Sequence, residues 1–295
     1  MKRHYILITF FALSIAAFGQ PMNTEIDAGT SPKLIGKINK DGLSNGSYAS
    51  WFNKNYSDYN PDEKSIAKIG SALNAYTIEL YMGTWCGDSK RQVPRFYKVL
   101  DALDFPLERL TAIALDNKGD AYKQSPGGEH EGKNIHRVPT FIFYKDGKEI
   151  NRIVESPKQT LEEDILNILN NTYTPNYSGV HFMAKQLESY GAAGVDKRAK
   201  KIKKQLMDKV ERVYDLNTYA RVLMRTGKKE EAITVSRINL LLYPDSAYAH
   251  GSLASKLNEV GQSEEAIVLL EKAIVMDPDD NRYQDLLDTI QASGK

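Results

Sequence analysis

Cysteine is nearly absent from this chain: Cys86 is the only one among 295 residues. No intramolecular disulfide can form, so the fold must rest on its core. A bias of charge is also missing. The formal net charge of +1 gives no overall electrostatic reason to expect nucleic acid as a partner. Long apolar runs are lacking too: the best, Tyr5 to Phe18, falls short of the ~20 residues a membrane helix needs. Apolar and charged content lie near globular averages, which excludes a disordered or fibrous chain. The length allows two modest domains.

The short apolar run has its own meaning. Lys2, Arg3 and His4 precede it, and Ala17-Phe18-Gly19 places small residues where a signal peptidase reads. Residues 1–19 therefore read as a signal peptide, with an uncleaved anchor as the alternative. The mature protein is expected to be exported, periplasmic or secreted, with no membrane span after removal of the signal.

Residues 20–60 are rich in Gly, Ser, Asn and Pro and read as an N-terminal arm, with a helical stretch from Trp51 to Tyr59. A helix capped by Asn60, with Pro61 in its first turn, is expected to open the next domain, 61–172. Within it Thr77 to Met82 and Leu110 to Leu115 read as strands. Val93, Phe96, Val99, Leu100 and Leu103 recur at helical spacing over Ser89 to Leu103, kinked at Pro94. Asn117 to Asn134 is polar and Gly-rich and reads as an ordinary loop. Thr140 to Tyr144, the turn signal Lys145-Asp146-Gly147-Lys148, and Glu149 to Val154 predict a hairpin, closed by an amphipathic helix over Thr160 to Leu169. This order predicts an α/β domain, a mixed sheet with helices on both faces. Tyr173-Thr174-Pro175-Asn176 interrupts the pattern and opens a linker region, 173–194.

Residues 195–295 carry no strand signal and contain a repeat. Gly227, Ala232 and Pro244 recur as Gly261, Ala266 and Pro278, and Tyr219-Ala220 and Leu223 match Leu253-Ala254 and Leu257, each 34 residues on. That period, with small residues where paired helices cross, resembles tetratricopeptide repeats and predicts an all-α array. Two repeats rarely suffice to bury a core, so a helix over Val195–Val213 is expected at one end and one over Tyr283–Ala292 at the other. The basic run Lys197 to Lys204 reads as a solvated helix face with Ile202 and Leu206 turned inward.

Cys86 follows a strand and opens a helix. Amide groups there favour a thiolate, Trp85 covers one side, Ser89 one turn on can donate to the sulfur, and Lys90 and Arg91 add positive charge. Asp88 opposes them, and a buried inert thiol is the alternative. Thr84-Trp85-Cys86-Gly87-Asp88-Ser89-Lys90 resembles the thioredoxin active-site motif with its second cysteine replaced by Ser89. Pro94 and Arg137-Val138-Pro139-Thr140 resemble that family's helix proline and cis-proline loop.

The resemblance spans roughly residues 65 to 170. It implies a thioredoxin-like fold, a cis Val138–Pro139 bond facing Cys86, Cys86 as nucleophile with Ser89 and Pro139 in support, and Trp85, Val138 and Thr140 against the substrate. Leu80 stands where the family buries an aspartate, and neighbouring Glu79 should face the opposite side of its strand. Without a resolving thiol, ordinary dithiol turnover is not expected. His136 and His130 are candidate bases toward Cys86. Their spacing fits no standard metal pattern, so neither a metal nor another cofactor is expected. Partners are then protein thiols or disulfides, and a peptide or protein client on a repeat groove that includes Asn217, Arg221, Ser255 and Asn258. The reading from another class is an inactive thioredoxin-fold scaffold that binds peptides through its repeats.

Overall fold

The computed structural model describes residues 21–27, 29 and 31–293. The expected signal peptide lies outside the described residues. Six strands, β1 (Thr24–Ile26), β2 (Lys33–Ile38), β3 (Thr77–Met82), β4 (Leu110–Ala114), β5 (Thr140–Lys145) and β6 (Lys148–Val154), form one sheet in the order β1-β2-β4-β3-β5-β6. β3 and β4 are parallel and every other pair is antiparallel. β5 and β6 meet through the two-residue turn Asp146-Gly147 foreseen from the sequence.

Alternation along the strands separates two faces. Ile78, Leu80 and Met82 of β3, Ala112 and Ala114 of β4, and Phe141 and Phe143 of β5 enter one core. The intervening Tyr81, Ile113 and Ile142 enter another. The first face is covered by α1 (Lys40–Ser44), α2 (Ala49–Ser57), α3 (Glu63–Ile69), α4 (Gly87–Ala102) and α5 (Leu161–Leu169), whose buried Leu43, Phe52, Ile69, Phe96 and Ile165 join that core. The second face is covered by the chain from 116 to 139, which supplies Ile135 and Val138.

Two expectations for this half are corrected. Residues 20–60 are not an arm. β2 pairs with β4, and Leu34, Ile38, Leu43, Tyr48 and Phe52 are buried. The apolar positions Leu34 and Ile38 share one face of β2, but the Gly- and Asn-rich flanks obscured so short a signal. The helix expected to start at Asn60 starts later: Asp62 caps α3, accepting from the Ser65 amide at 2.8 Å. A cap of this kind contributes about 1 kcal/mol.

The second half is all helical: α6 (Ser178–Asp196), α7 (Ala199–Leu206), α8 (Val213–Arg225), α9 (Lys229–Leu242), α10 (Ala247–Glu259), α11 (Ser263–Met276) and α12 (Asn281–Ser293). α8 and α10 start 34 residues apart, as do α9 and α11. Gly227 and Gly261 end the first helix of each pair at φ 79° and 81°, the left-handed geometry that glycine adopts without strain. Ala220, Ala232, Ala254 and Ala266 are fully buried where the helices cross. α12 packs on α11 as the expected cap.

The region 173–194 is not a linker. Tyr173 joins the sheet core, and α6 buries Val180 and Met183 in the core of the array. The helix expected over Val195–Val213 is broken twice, between α6 and α7 at Lys197 and Arg198 and again after Leu206. Ile202 and Leu206 face inward as read.

Array and sheet domain touch through the 116–139 loop. Gln124 Nε2 donates to Arg225 O at 2.9 Å, and the His136 ring lies edge-on to both Tyr177 and Tyr219. Among the described residues no helix is long and apolar enough to cross a membrane.

Candidate functional site around Cys86

Cys86 sits between the end of β3 and the first turn of α4. Its amide donates to Gly83 O at 2.9 Å, and as N-cap its carbonyl accepts from Lys90 N at 3.0 Å. The sulfur thus stands at the amide-rich end of a 16-residue helix, where negative charge is favoured. A Cβ on Gly83 would meet the Trp85 indole at 2.4 Å, so glycine is what lets that ring fold back over the strand end. The indole is held there by Nε1 donating to Leu115 O at 2.8 Å. Trp85 and Cys86 both pack, half-buried, against the second-face core.

Opposite the sulfur lies the loop of the cis Val138–Pro139 bond. The thiol donates to Val138 O at 3.3 Å. The sequence therefore placed these residues in contact, but Thr140 and Ser89 are used differently from expectation. Thr140 is fully buried and its hydroxyl donates to Arg137 O at 2.8 Å, so its side chain is internal to the loop. Ser89 is also fully buried, and its Oγ accepts from the Gly83 amide at 3.2 Å. It braces the strand end rather than the sulfur. Asp88 is paired with Arg91 at 2.7 Å, which offsets the negative charge that the sequence set beside Cys86.

Neither candidate base is brought to Cys86. The His130 ring accepts from the Ser125 amide through Nδ1 at 3.0 Å, a contact inside its own loop. His136 is 5% exposed, wedged against Tyr177 and Tyr219, with Nε2 unpartnered. Burial, aided by Arg137, Arg152 and Lys123, pushes its ring down to about 3, so it stays neutral. Its neighbours in sequence pointed toward Cys86, but the left-handed Asn134 turns the loop toward the array. Glu79 does lie opposite Leu80: it accepts from Lys133, Tyr81 and Tyr144 at 2.9–3.0 Å. Among the described residues no group of three or more His, Cys, Asp or Glu is gathered as a metal site would need.

The residue that sequence reasoning missed is Lys123. Its backbone is left-handed, φ 56°, and its amide donates to Asp116 O at 2.7 Å. The side chain is 5% exposed, and its ammonium rides 5.5 Å from the centre of the Trp85 ring and 5.1 Å from that of Tyr122. Burial pushes it down to about 8; Cys86 and Glu155 work against that shift, Arg137 and Arg221 with it. Arg221 of α8 stacks on Tyr122 at 4.1 Å. Nothing in the polar, aperiodic loop sequence set Lys123 apart.

In the array, Asn217, Arg221 and Ser255 line one groove as expected, together with Tyr248, Lys256 and Arg282. Asn258 does not; its Oδ1 accepts from Ser263 Oγ at 3.3 Å, tying α10 to α11. Lys256, unforeseen, is buried under the groove. It donates to Asn217 Oδ1 at 2.8 Å, and burial pushes it down to about 8, with Arg221 adding to the shift.

No family model matches the chain. Similarity is found to Thioredoxin Asp f 29 of Aspergillus fumigatus, 27% identical over 82 residues, 28% of this chain and 67% of that protein. The mitochondrial Thioredoxin-3 of Saccharomyces cerevisiae is 29% identical over 91 residues, 31% of this chain and 63% of that protein. The chain thus spans just under two thirds of the second relative's length. The sheet, the order of its elements and these similarities agree: a thioredoxin-like domain of redox type precedes an all-helical array.

Proposed function

We propose that this protein carries out thiol–disulfide exchange through one cysteine, Cys86, on protein thiols or disulfides. The observation that carries the reading is the placement of Sγ at the start of α4, half-buried and 3.3 Å from Val138 O. In the reaction the Cys86 thiolate attacks one sulfur of a disulfide. The new S–S bond forms as the old one breaks, and the other half departs as a thiolate. Since this chain has no second cysteine, an outside thiol must attack the mixed disulfide to release Cys86. Trp85 and the Val138–Pro139 segment flank the approach. The array is read as a tetratricopeptide-type module whose groove holds a peptide or protein client, and the protein as an exported one, periplasmic or secreted.

The test is labelling by iodoacetamide near neutral pH, together with trapping of mixed disulfides. Native Cys86 is expected to alkylate without denaturant and to form a mixed disulfide that Cys86→Ser abolishes. Labelling only after denaturation would overturn the reading, and the inactive scaffold with repeat-mediated binding would take its place.

A further inference from the structure

A buried ammonium without an acidic partner is an expensive thing to keep. Lys123 is 5% exposed and touches two aromatic rings, and no carboxylate lies within ion-pair distance of it among the described residues. Placing such a charge in the interior costs several kcal/mol unless something offsets it. The Trp85 and Tyr122 faces offset part, on the order of 1 kcal/mol each. The exposed Arg221 adds a second cation over the Tyr122 ring, likewise without an ion-pair partner among the described residues. Arg137, the third cation of the cluster, is different: Glu155 neutralises it at 3.2 Å. Two unneutralised positive charges therefore share the Tyr122 ring, and the first of them also lies against Trp85, the neighbour of the one thiol. One comes from the loop over the sheet, the other from α8, the first helix of the first repeated pair.

We infer that Lys123 and Arg221 select the substrate of Cys86, and that this substrate is a disulfide with a carboxylate close to the attacked sulfur. The inference rests on Cys86 being the nucleophile. The carboxylate is drawn to the edge of this cation pair as the sulfur reaches Cys86. The exchange itself is unchanged: one S–S bond forms, one breaks, and a thiolate leaves. Because Arg221 belongs to α8, the helical array takes part in choosing what the thioredoxin-like domain attacks.

A charge series of small disulfides tests this at pH 7, where Lys123 is protonated. The full chain is mixed with dianionic 3,3′-dithiodipropionate, neutral hydroxyethyl disulfide or dicationic cystamine, and the adduct on Cys86 is followed by mass. The dianion is expected to react about 5- to 10-fold faster than the neutral compound, and cystamine slowest, as two nearby cations in a half-screened site imply. The unfolded chain supplies the unbiased order. In the native chain, high salt should shrink the preference, a check that needs no variant. Lys123→Gln and Arg221→Gln should each reduce the ratio of the dianion's rate to that of the neutral disulfide. A disulfide-linked dimer of a short acidic peptide is the second arm. If it outpaces dithiodipropionate the substrate is a protein segment, and if not, a small anionic disulfide. Equal rates across the series with normal iodoacetamide labelling would overturn this inference and leave the nucleophile reading standing. No labelling of native Cys86 would sink both.

Discussion

The two faces of the sheet obey different rules. On one, Phe96, Phe141 and Phe143 interlock, with the Phe96 and Phe141 rings 4.3 Å apart, beneath five helices whose apolar residues recur at regular spacing. The buried carboxylates there are paired, Glu162 with Tyr59 and the Asp62 amide and Asp164 with the Lys158 amide, although Asn74 Oδ1, Arg95 Nε and Tyr173 OH have no hydrogen-bond partner among the described residues. On the other face an irregular loop brings inside a neutral histidine and an unpaired ammonium, next to the half-buried thiol of Cys86. Apolar burial stabilises the first face directly, whereas the second holds groups that a pure folding problem would have removed. The difference teaches where to look for chemistry: the face that is costly to fold is the face that carries the site.

The sharpest way to break this contrast is acid. His136 is held down to about 3 in the fold against an ordinary 6.5, so its neutral form contributes stability fully above pH 6.5. That stability is lost as pH falls toward 3, on the order of 5 kcal/mol in all. Urea unfolding of the wild type between pH 7 and 4 should show the decline, and His136→Leu should flatten it. Equal slopes would mean the second face is wetter than described. Next in size, Phe96→Ala should cost about 3–5 kcal/mol at any pH, because it empties a site with no room to collapse. A loss under ~1 kcal/mol would deny the close packing of the first face.

Lys123 should behave in the opposite sense from a core residue. Its value is lowered from 10.5 to about 8, so the unfolded chain binds more protons between those limits and stability rises with pH across them. Lys123→Met is therefore expected to be more stable than wild type below pH 8, by about 3 kcal/mol, with the gap closing by pH 10.5. Because Lys256 titrates in the same window, the difference between the two proteins is the measurement, not either slope. A destabilised Lys123→Met at pH 7 would contradict the claim that this cation is kept for function. Smallest of all, Lys204→Ala on the solvated side of α7 should move stability by less than ~0.5 kcal/mol. It sets the zero against which both faces are judged.

What could be read early follows the same division. β3, the β5–β6 hairpin and α4 were visible because their periods of 2 and 3.6 survive in the sequence. The 34-residue offset of α8–α9 and α10–α11 was visible because the same crossings need the same small residues. β2 was hidden because Leu34, Ile35 and Ile38, interrupted by Gly36, give no clean alternation between turn-forming flanks. Ser89 was assigned to the sulfur because it lies one turn on, and Thr140 to the substrate because the resemblance puts it beside the cis proline. Their hydroxyls are spent on Gly83 and Arg137 O, a choice between partners that spacing does not reveal.

By itself the sequence determined that one thiol opens a helix after a strand, that no intramolecular disulfide can form, and that a helical region with a 34-residue period follows. Those are properties of local spacing and composition, which the chain states directly. Only the tertiary structure decided that Lys123 lies against Trp85, that Arg221 reaches Tyr122 from the array, and that His136 is sealed away from Cys86. Each of those depends on where an aperiodic loop and a distant helix come to rest on the sheet. Burial and charge acting across that distance leave no pattern along the chain.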